Sequence, residues 1–176
     1  MARYEHRDIC SDCKHEVSTS FPCNFIGQWQ QDPKWKDEGI GDTPYKIGAY
    51  GCLISAISSL GYWACDDKNP SWCSDNFSFT SNGSLYWDSV TDADINMDFV
   101  YRYYGDDPVK IKEILESELN TVVIEVPAFG ARHWLAGLSY SSTKGYLVYD
   151  PWMDDTIYLL DRYPYVSGYA EFKSKK

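Results

Sequence analysis

Long apolar runs are missing from this chain: nowhere do about 18 consecutive apolar residues occur, the minimum for a membrane-spanning helix. Membrane insertion is therefore not expected. The segment Met1-Ala2-Arg3-Tyr4-Glu5-His6-Arg7-Asp8 is charged and has no signal-like apolar stretch. It points to a product of the cytoplasm that stays soluble unless lysis or an assembled particle carries it out. Positive charge is scarce as well. Lys and Arg number 16 against 26 Asp and Glu, a formal net charge of −10, and such a surface repels phosphate backbones and anionic membranes. Nucleic acid is not expected as a partner. Histidine is also sparse, with His6, His15 and His133 the full set, so few groups in the chain titrate near neutral pH.

With 176 residues and 44% hydrophobic content, the chain can bury one core and is too short for two ordinary domains. The aromatic share, 16%, suits either a polymer-gripping surface or a small core filled with rings. Residues 1–27 read as an appendage, charged and then Ser/Thr-rich, and 28–176 as the domain. The cysteines follow that division. Cys10, Cys13 and Cys23 lie in the appendage, Cys52 stands alone, and Cys65 and Cys73 are close enough to pair in an oxidising compartment. Without a secretion signal, reduced thiols are the expectation.

Leu53, Ile54, Ile57 and Leu60 have helical spacing, which predicts a helix starting at or just before Cys52 and ending at Gly61. Residues 64–98 are rich in Asp, Asn, Ser, Gly and aromatics, the composition of irregular structure with short helical turns. A second helix is signalled by Asp106 or Asp107 as cap, Pro108 in the first turn, and Val109, Ile111, Ile114, Leu115 and Leu119 on one face. Four strands are expected at 121–126, 133–140, 146–150 and 156–160. Helices first and an antiparallel sheet after them give an α+β fold.

A cysteine at a helix start meets the positive end of the helix dipole and unpaired amides, which favours the thiolate and raises nucleophilicity. Cys52 is so placed, and Gly51 before it leaves the approach to sulfur open. The plainer reading is a small buried hydrophobe beside Leu53 and Ile54. His133 opens an apolar strand and is the sole histidine in the domain, so it is the candidate general base. Asp150 ends the next strand. If the two strands form a hairpin, Asp150 falls opposite His133 and can fix its tautomer; otherwise it is an ordinary turn aspartate before Pro151. Gln30 could donate its amide to the oxyanion of a tetrahedral intermediate beside the Cys52 amide, with Gln28 and Gln31 as competitors.

Gln30-x-Asp32-Pro33-x-Trp35, Ile47-Gly48-x-x-Gly51-Cys52 with Ser55-Ala56, Asn82-Gly83-x-Leu85-x-Trp87-x-x-Val90, His133-Trp134 and Asp150-Pro151 occur in that order. Together they resemble the papain-like cysteine peptidases related to the bacteriocin-leader (double-glycine) processing family, over residues 28–165. The resemblance implies a papain-like fold, helical half against sheet, with Cys52 as nucleophile, His133 as base, Asp150 as its partner and Gln30 as oxyanion donor. Trp35, Gly51, Trp87 and Trp134 would border the substrate. It also implies a peptide substrate, in free-standing phage and bacterial members a peptidoglycan stem or cross-bridge, and a place in a phage tail or virion beside other tail proteins. Two departures stand out. Leu53-Ile54-Ser55 follows the cysteine where many relatives have Gly-Pro-Thr, and no transporter domain accompanies the motifs, so leader cleavage during export is not implied. The alternative of a different class is a peptidase-like module kept for docking in a phage particle; a transglutaminase-like acyl transferase would use the same triad.

Cys10-x-x-Cys13 with Cys23 and His15, or His6 in its place, could hold a structural zinc, although no cofactor is required for the chemistry above. Asp92-x-Asp94-x-Asn96-x-Asp98 begins like a calcium loop but has Met97 and Tyr103 at the diagnostic positions, and solvated acids at a helix start are expected there instead.

Overall fold

A computed structural model describes residues 25–175. They form an α+β unit whose centre is a six-stranded antiparallel sheet. The chain begins with helices α1 (Ile47–Tyr50), α2 (Cys52–Trp63), α3 (Pro70–Asn76) and α4 (Asp88–Asp92), then β1 (Met97–Tyr104) and α5 (Pro108–Leu115). It ends with β2 (Asn120–Ala128), β3 (Ala131–Ser141), β4 (Gly145–Asp150), β5 (Asp155–Tyr158), a 3-10 turn at Leu159–Asp161 and β6 (Gly168–Ser174). The strand order is β1-β6-β2-β3-β4-β5, so the last strand is inserted between the first and second.

Each face of the sheet carries its own core. On one, Ile54, Ile57, Leu60 and Trp63 of α2 pack with Val123, Trp134, Ala136, Tyr149, Ala170 and Phe172. On the other, Ile111 and Ile114 of α5 pack with Val122, Ile124, Leu135, Val148 and Tyr169. Alternate residues of β2 and β3 thus belong to opposite cores, as a pleated strand covered on both faces requires. α2 is apolar or small on nearly every side because it is enclosed. Of its buried serines, Ser59 donates to the Ser55 carbonyl (2.7 Å) and accepts from the Gln28 amide (2.8 Å), while the Ser55 hydroxyl has no partner among the described residues.

Several elements depart from the sequence expectations. α2 runs through the buried Gly61 to Trp63, since Gly61 is not left-handed and the helix is capped at Ala64. α5 is capped by Asp107, which accepts from the Lys110 amide at 3.0 Å, but it stops at Leu115 before Leu119, and both Leu119 and Val109, inside the helix, are exposed instead of sharing the buried face of Ile111 and Ile114. α3 and α4 supply short helical turns inside 64–98. The Asp92–Asp98 segment is not a helix start: Asp92 ends α4, Asp98 lies in β1 near Lys175 (3.5 Å), and Asp94 approaches Lys68. β1 and β6 were not anticipated. Packing of the domain begins before residue 28, because the Phe25 ring meets Tyr149 edge-on at 5.6 Å.

The cysteines need one correction. Cys65 is disulfide-bonded, and neither Cys73 nor Cys52 is its partner, since both have free thiols. The Cys65–Cys73 pairing and the fully reduced state are thus both replaced; Cys73 is enclosed in the α2 core. Cys10, Cys13, Cys23, His15 and His6, the zinc candidates, lie outside the described residues. Among the described residues no cluster of three or more His, Cys, Asp or Glu could hold a metal ion, and no helix is long and apolar enough to cross a membrane.

Candidate active site

The local fold brings Cys52 to the first residue of α2. Gly51 donates its amide to the Ile47 carbonyl (2.7 Å), closing α1, and accepts from Ser55 (2.9 Å), opening α2. No side chain caps α2. The amides of Cys52, Leu53 and Ile54 therefore have no partner within the helix, the usual state of a first turn. Gly51 is required by packing: a Cβ there would lie 2.5 Å from the Ile47 carbonyl oxygen. Its absent side chain lets α1 abut α2, a reason different from clearing a path to the sulfur.

β2 and β3 are joined by a two-residue turn in which Phe129 (φ 54) and Gly130 (φ 73) are both left-handed, as a type I′ hairpin demands. This turn delivers His133 near the start of β3. In the β3–β4 pair Ala136 faces Tyr149, so His133 and Asp150 lie at the same end and on the same side of the ribbon, diagonal to each other instead of directly opposite. Their side chains meet. His133 Nε2 is 2.8 Å from Asp150 Oδ1, with the histidine 2% and the aspartate 0% exposed. With Nε2 so engaged, Nδ1 is the ring nitrogen left for the Cys52 sulfur, which lies near enough to favour the charged imidazole.

Electrostatics follow from this geometry. Burial opposes a charged imidazole, but the hydrogen bond to Asp150, the nearby Cys52 and the charges of both outweigh it, and the His133 pKa is pushed up to about 9. Burial would raise the Asp150 pKa; the bonds from His133, Tyr163 and Arg162 reverse that and lower it to about 2. Asp150 is satisfied at both oxygens. Oδ1 also accepts from the Trp152 amide (3.0 Å), while Oδ2 accepts from Arg162 Nη1 (2.8 Å) and the Tyr163 hydroxyl. Arg162 is itself clamped on Asp155 at 2.8 and 2.7 Å.

Gln30 bridges the two flanks of this group. Its amide donates to the Pro151 carbonyl (3.0 Å), directly after Asp150, and its side-chain Nε2 donates to the Gly48 carbonyl (3.0 Å), in the helix before Cys52. Gln31 donates to the same carbonyl. Gln30 Oε1 is buried without a partner among the described residues. Gln28 lies apart, its backbone tied to Ser59.

A cleft of about 280 Å³ opens beside Cys52, lined in part by Trp87 and Trp134, as expected, and by Arg102 and Arg132, which sequence reasoning did not single out. Trp35 is elsewhere. It is buried in the α2 core with its indole N–H on the Trp29 carbonyl (2.9 Å), a structural position. Arg162, Tyr163 and Phe129 were also missed. The exposed Phe129 ring packs against His133 (5.8 Å) and Trp152 (5.3 Å), and its only sequence signal is the Phe-Gly pair between two strands.

A thiol at a helix head, an imidazole held by a buried carboxylate and an open cleft together can perform nucleophilic attack with general acid–base assistance. No family pattern, no curated protein and no solved structure matches this chain.

Proposed function

We propose that this protein is a papain-like cysteine peptidase acting through a thioester acyl-enzyme, with peptidoglycan stem or cross-bridge peptides as its substrate. The observation that supports it best is the 2.8 Å hydrogen bond between His133 and Asp150, which fixes the imidazole and, together with the influence of the nearby Cys52 at a helix head, raises its pKa. The substrate class rests on the motif resemblance, as do the phage tail or virion setting and release on lysis.

In this reading the Cys52 proton passes to His133, and the sulfur attacks the scissile carbonyl. The electron pair displaced to the carbonyl oxygen is met by the unpaired Cys52 amide and by the second amide hydrogen of Gln30. As the C–N bond breaks, the imidazolium gives its proton to the leaving amine and the thioester remains. His133 then takes a proton from water, whose oxygen attacks the thioester, and the proton returns to sulfur as the acid product leaves. Asp150 keeps its charge throughout and holds the ring.

Replacing Cys52 with Ala should abolish release of peptides from cell walls, read by zymogram and mass spectrometry, while the circular dichroism spectrum stays unchanged. Undiminished hydrolysis by that variant refutes the assignment.

A further inference from the structure

We propose that the cleft beside Cys52 selects a substrate carrying a carboxylate next to the bond that is cut, and that Arg132 receives it. The proposal deepens the peptidase reading and rests on it.

The chain has a formal charge of −10, yet its candidate cleft is lined by two arginines and by no Asp or Glu among the described residues. The two play different parts. Arg102 is fixed: its guanidinium lies 4.6 Å from the Trp134 ring and 4.4 Å from that of Tyr104, and it donates to the Tyr169 carbonyl (3.0 Å) and to the Glu125 carboxylate. The backbone makes room for it, because a Cβ at Gly168 would fall 2.4 Å from Arg102 Nη1. Arg102 is thus a floor whose donors are already committed inward.

Glu125, 2% exposed, is shared. One oxygen meets Arg102 and the other lies 3.2 Å from Arg132 Nε. Two guanidinium groups on one carboxylate leave the cluster with one uncompensated positive charge. That charge faces outward on Arg132, whose side chain is 73% exposed and whose Nη groups make no hydrogen bond among the described residues. A guanidinium anchored through Nε presents its Nη edge as a planar fork, the geometry that grips a carboxylate with two parallel bonds. A peptide with a free acidic side chain or carboxyl terminus beside the scissile bond fits this edge; its amidated counterpart does not.

The test uses the full chain and two alkylating reagents of similar size, anionic iodoacetate and neutral iodoacetamide. Labelling of Cys52 is followed by peptide mass spectrometry, and the iodoacetate-to-iodoacetamide rate ratio is normalised to that of N-acetylcysteine. The Arg132 charge should raise the normalised ratio about fivefold or more at low salt, the effect of one unit charge at about 4 Å in a water-like dielectric. Arg132→Gln should lower the ratio to the part that the His133 imidazolium contributes, and Arg132→Lys, which keeps the charge, should hold it up. A ratio at unity in the unmodified protein, or one that Arg132→Gln leaves untouched, overturns the assignment. Failure of Cys52 to react with iodoacetamide at all strikes the peptidase reading, and this proposal falls with it. In a second arm, peptides differing only by Glu or Gln beside the cleaved bond should differ about tenfold in kcat/KM, and equal turnover of both overturns the proposal while leaving the peptidase reading intact.

Discussion

Exchanging Asp150 for Asn removes one buried charge and keeps the side-chain shape. In the folded protein His133 keeps its proton up to about pH 9, against 6.5 for the ordinary group. Its contribution to stability is therefore complete below pH 6.5 and is lost as pH rises toward 9. Asp150 behaves in the opposite sense. Lowered from 3.8 to about 2, it contributes fully above pH 3.8 and loses that contribution as pH falls through 2. Both contributions are whole between pH 3.8 and 6.5. The histidine shift corresponds to about 3 kcal/mol, which agrees with the roughly 3–5 kcal/mol cost of removing one partner of a buried pair. For a chain of this size that is a fall in Tm of about 6–20 °C at pH 6. Near pH 10, where His133 is neutral in either protein, the penalty of Asp150→Asn should shrink by several degrees. The pH profile of Cys52 alkylation should change as well, its alkaline limb moving down from about 9 toward the ordinary histidine range, since burial then acts against only the Cys52 partnership. Scanning calorimetry at the two pH values and the alkylation profile measure these effects. An unmoved alkaline limb, or a penalty equal at pH 6 and 10, would refute the claim that Asp150 holds the imidazolium.

Gly51→Ala inserts a methyl 2.5 Å from the Ile47 carbonyl and should cost about 1–3 kcal/mol, lowering Tm by about 2–12 °C in calorimetry and reducing kcat by displacing the head of α2. Gln30→Ala should lower kcat by about 10²–10³ with KM little changed, as expected for a lost oxyanion donor, in steady-state kinetics on a cell-wall peptide; an unchanged kcat assigns Gln30 to holding Gly48 alone. In native protein iodoacetamide should label Cys52 and spare Cys73, whose thiol pKa is pushed far up by burial, while denaturant should make both react in a mass-spectrometric assay.

The two long helices and the His133–Asp150 hairpin were legible because their signals are local: Leu53, Ile54, Ile57 and Leu60 repeat at helical spacing, and Asp107-Pro108 marks a helix start. The three members of the candidate triad could be picked out because one histidine lay in the domain and the hairpin carried it toward Asp150. β1 and β6 were not legible, since each finds its partner far along the chain and turn chemistry marks neither pairing. Arg162 and Tyr163 reach Asp150 from a 3-10 turn, and Arg102 and Arg132 converge on Glu125 from two strands. No spacing within one segment encodes such meetings. Trp35 shows the converse: the motif containing it was recognisable, but its ring fills the core and does not border the cleft.

The strand order gives β6 a further importance. Because Gly168–Ser174 lies between β1 and β2, a chain cut before Gly168 would present two bare sheet edges facing each other across an empty slot. Such an intermediate has the hairpin that carries His133 and Asp150 but no continuous sheet behind it, and it invites strands from neighbouring molecules. Completion of the sheet that backs His133 and Asp150 therefore waits on β6, the strand that closes the slot.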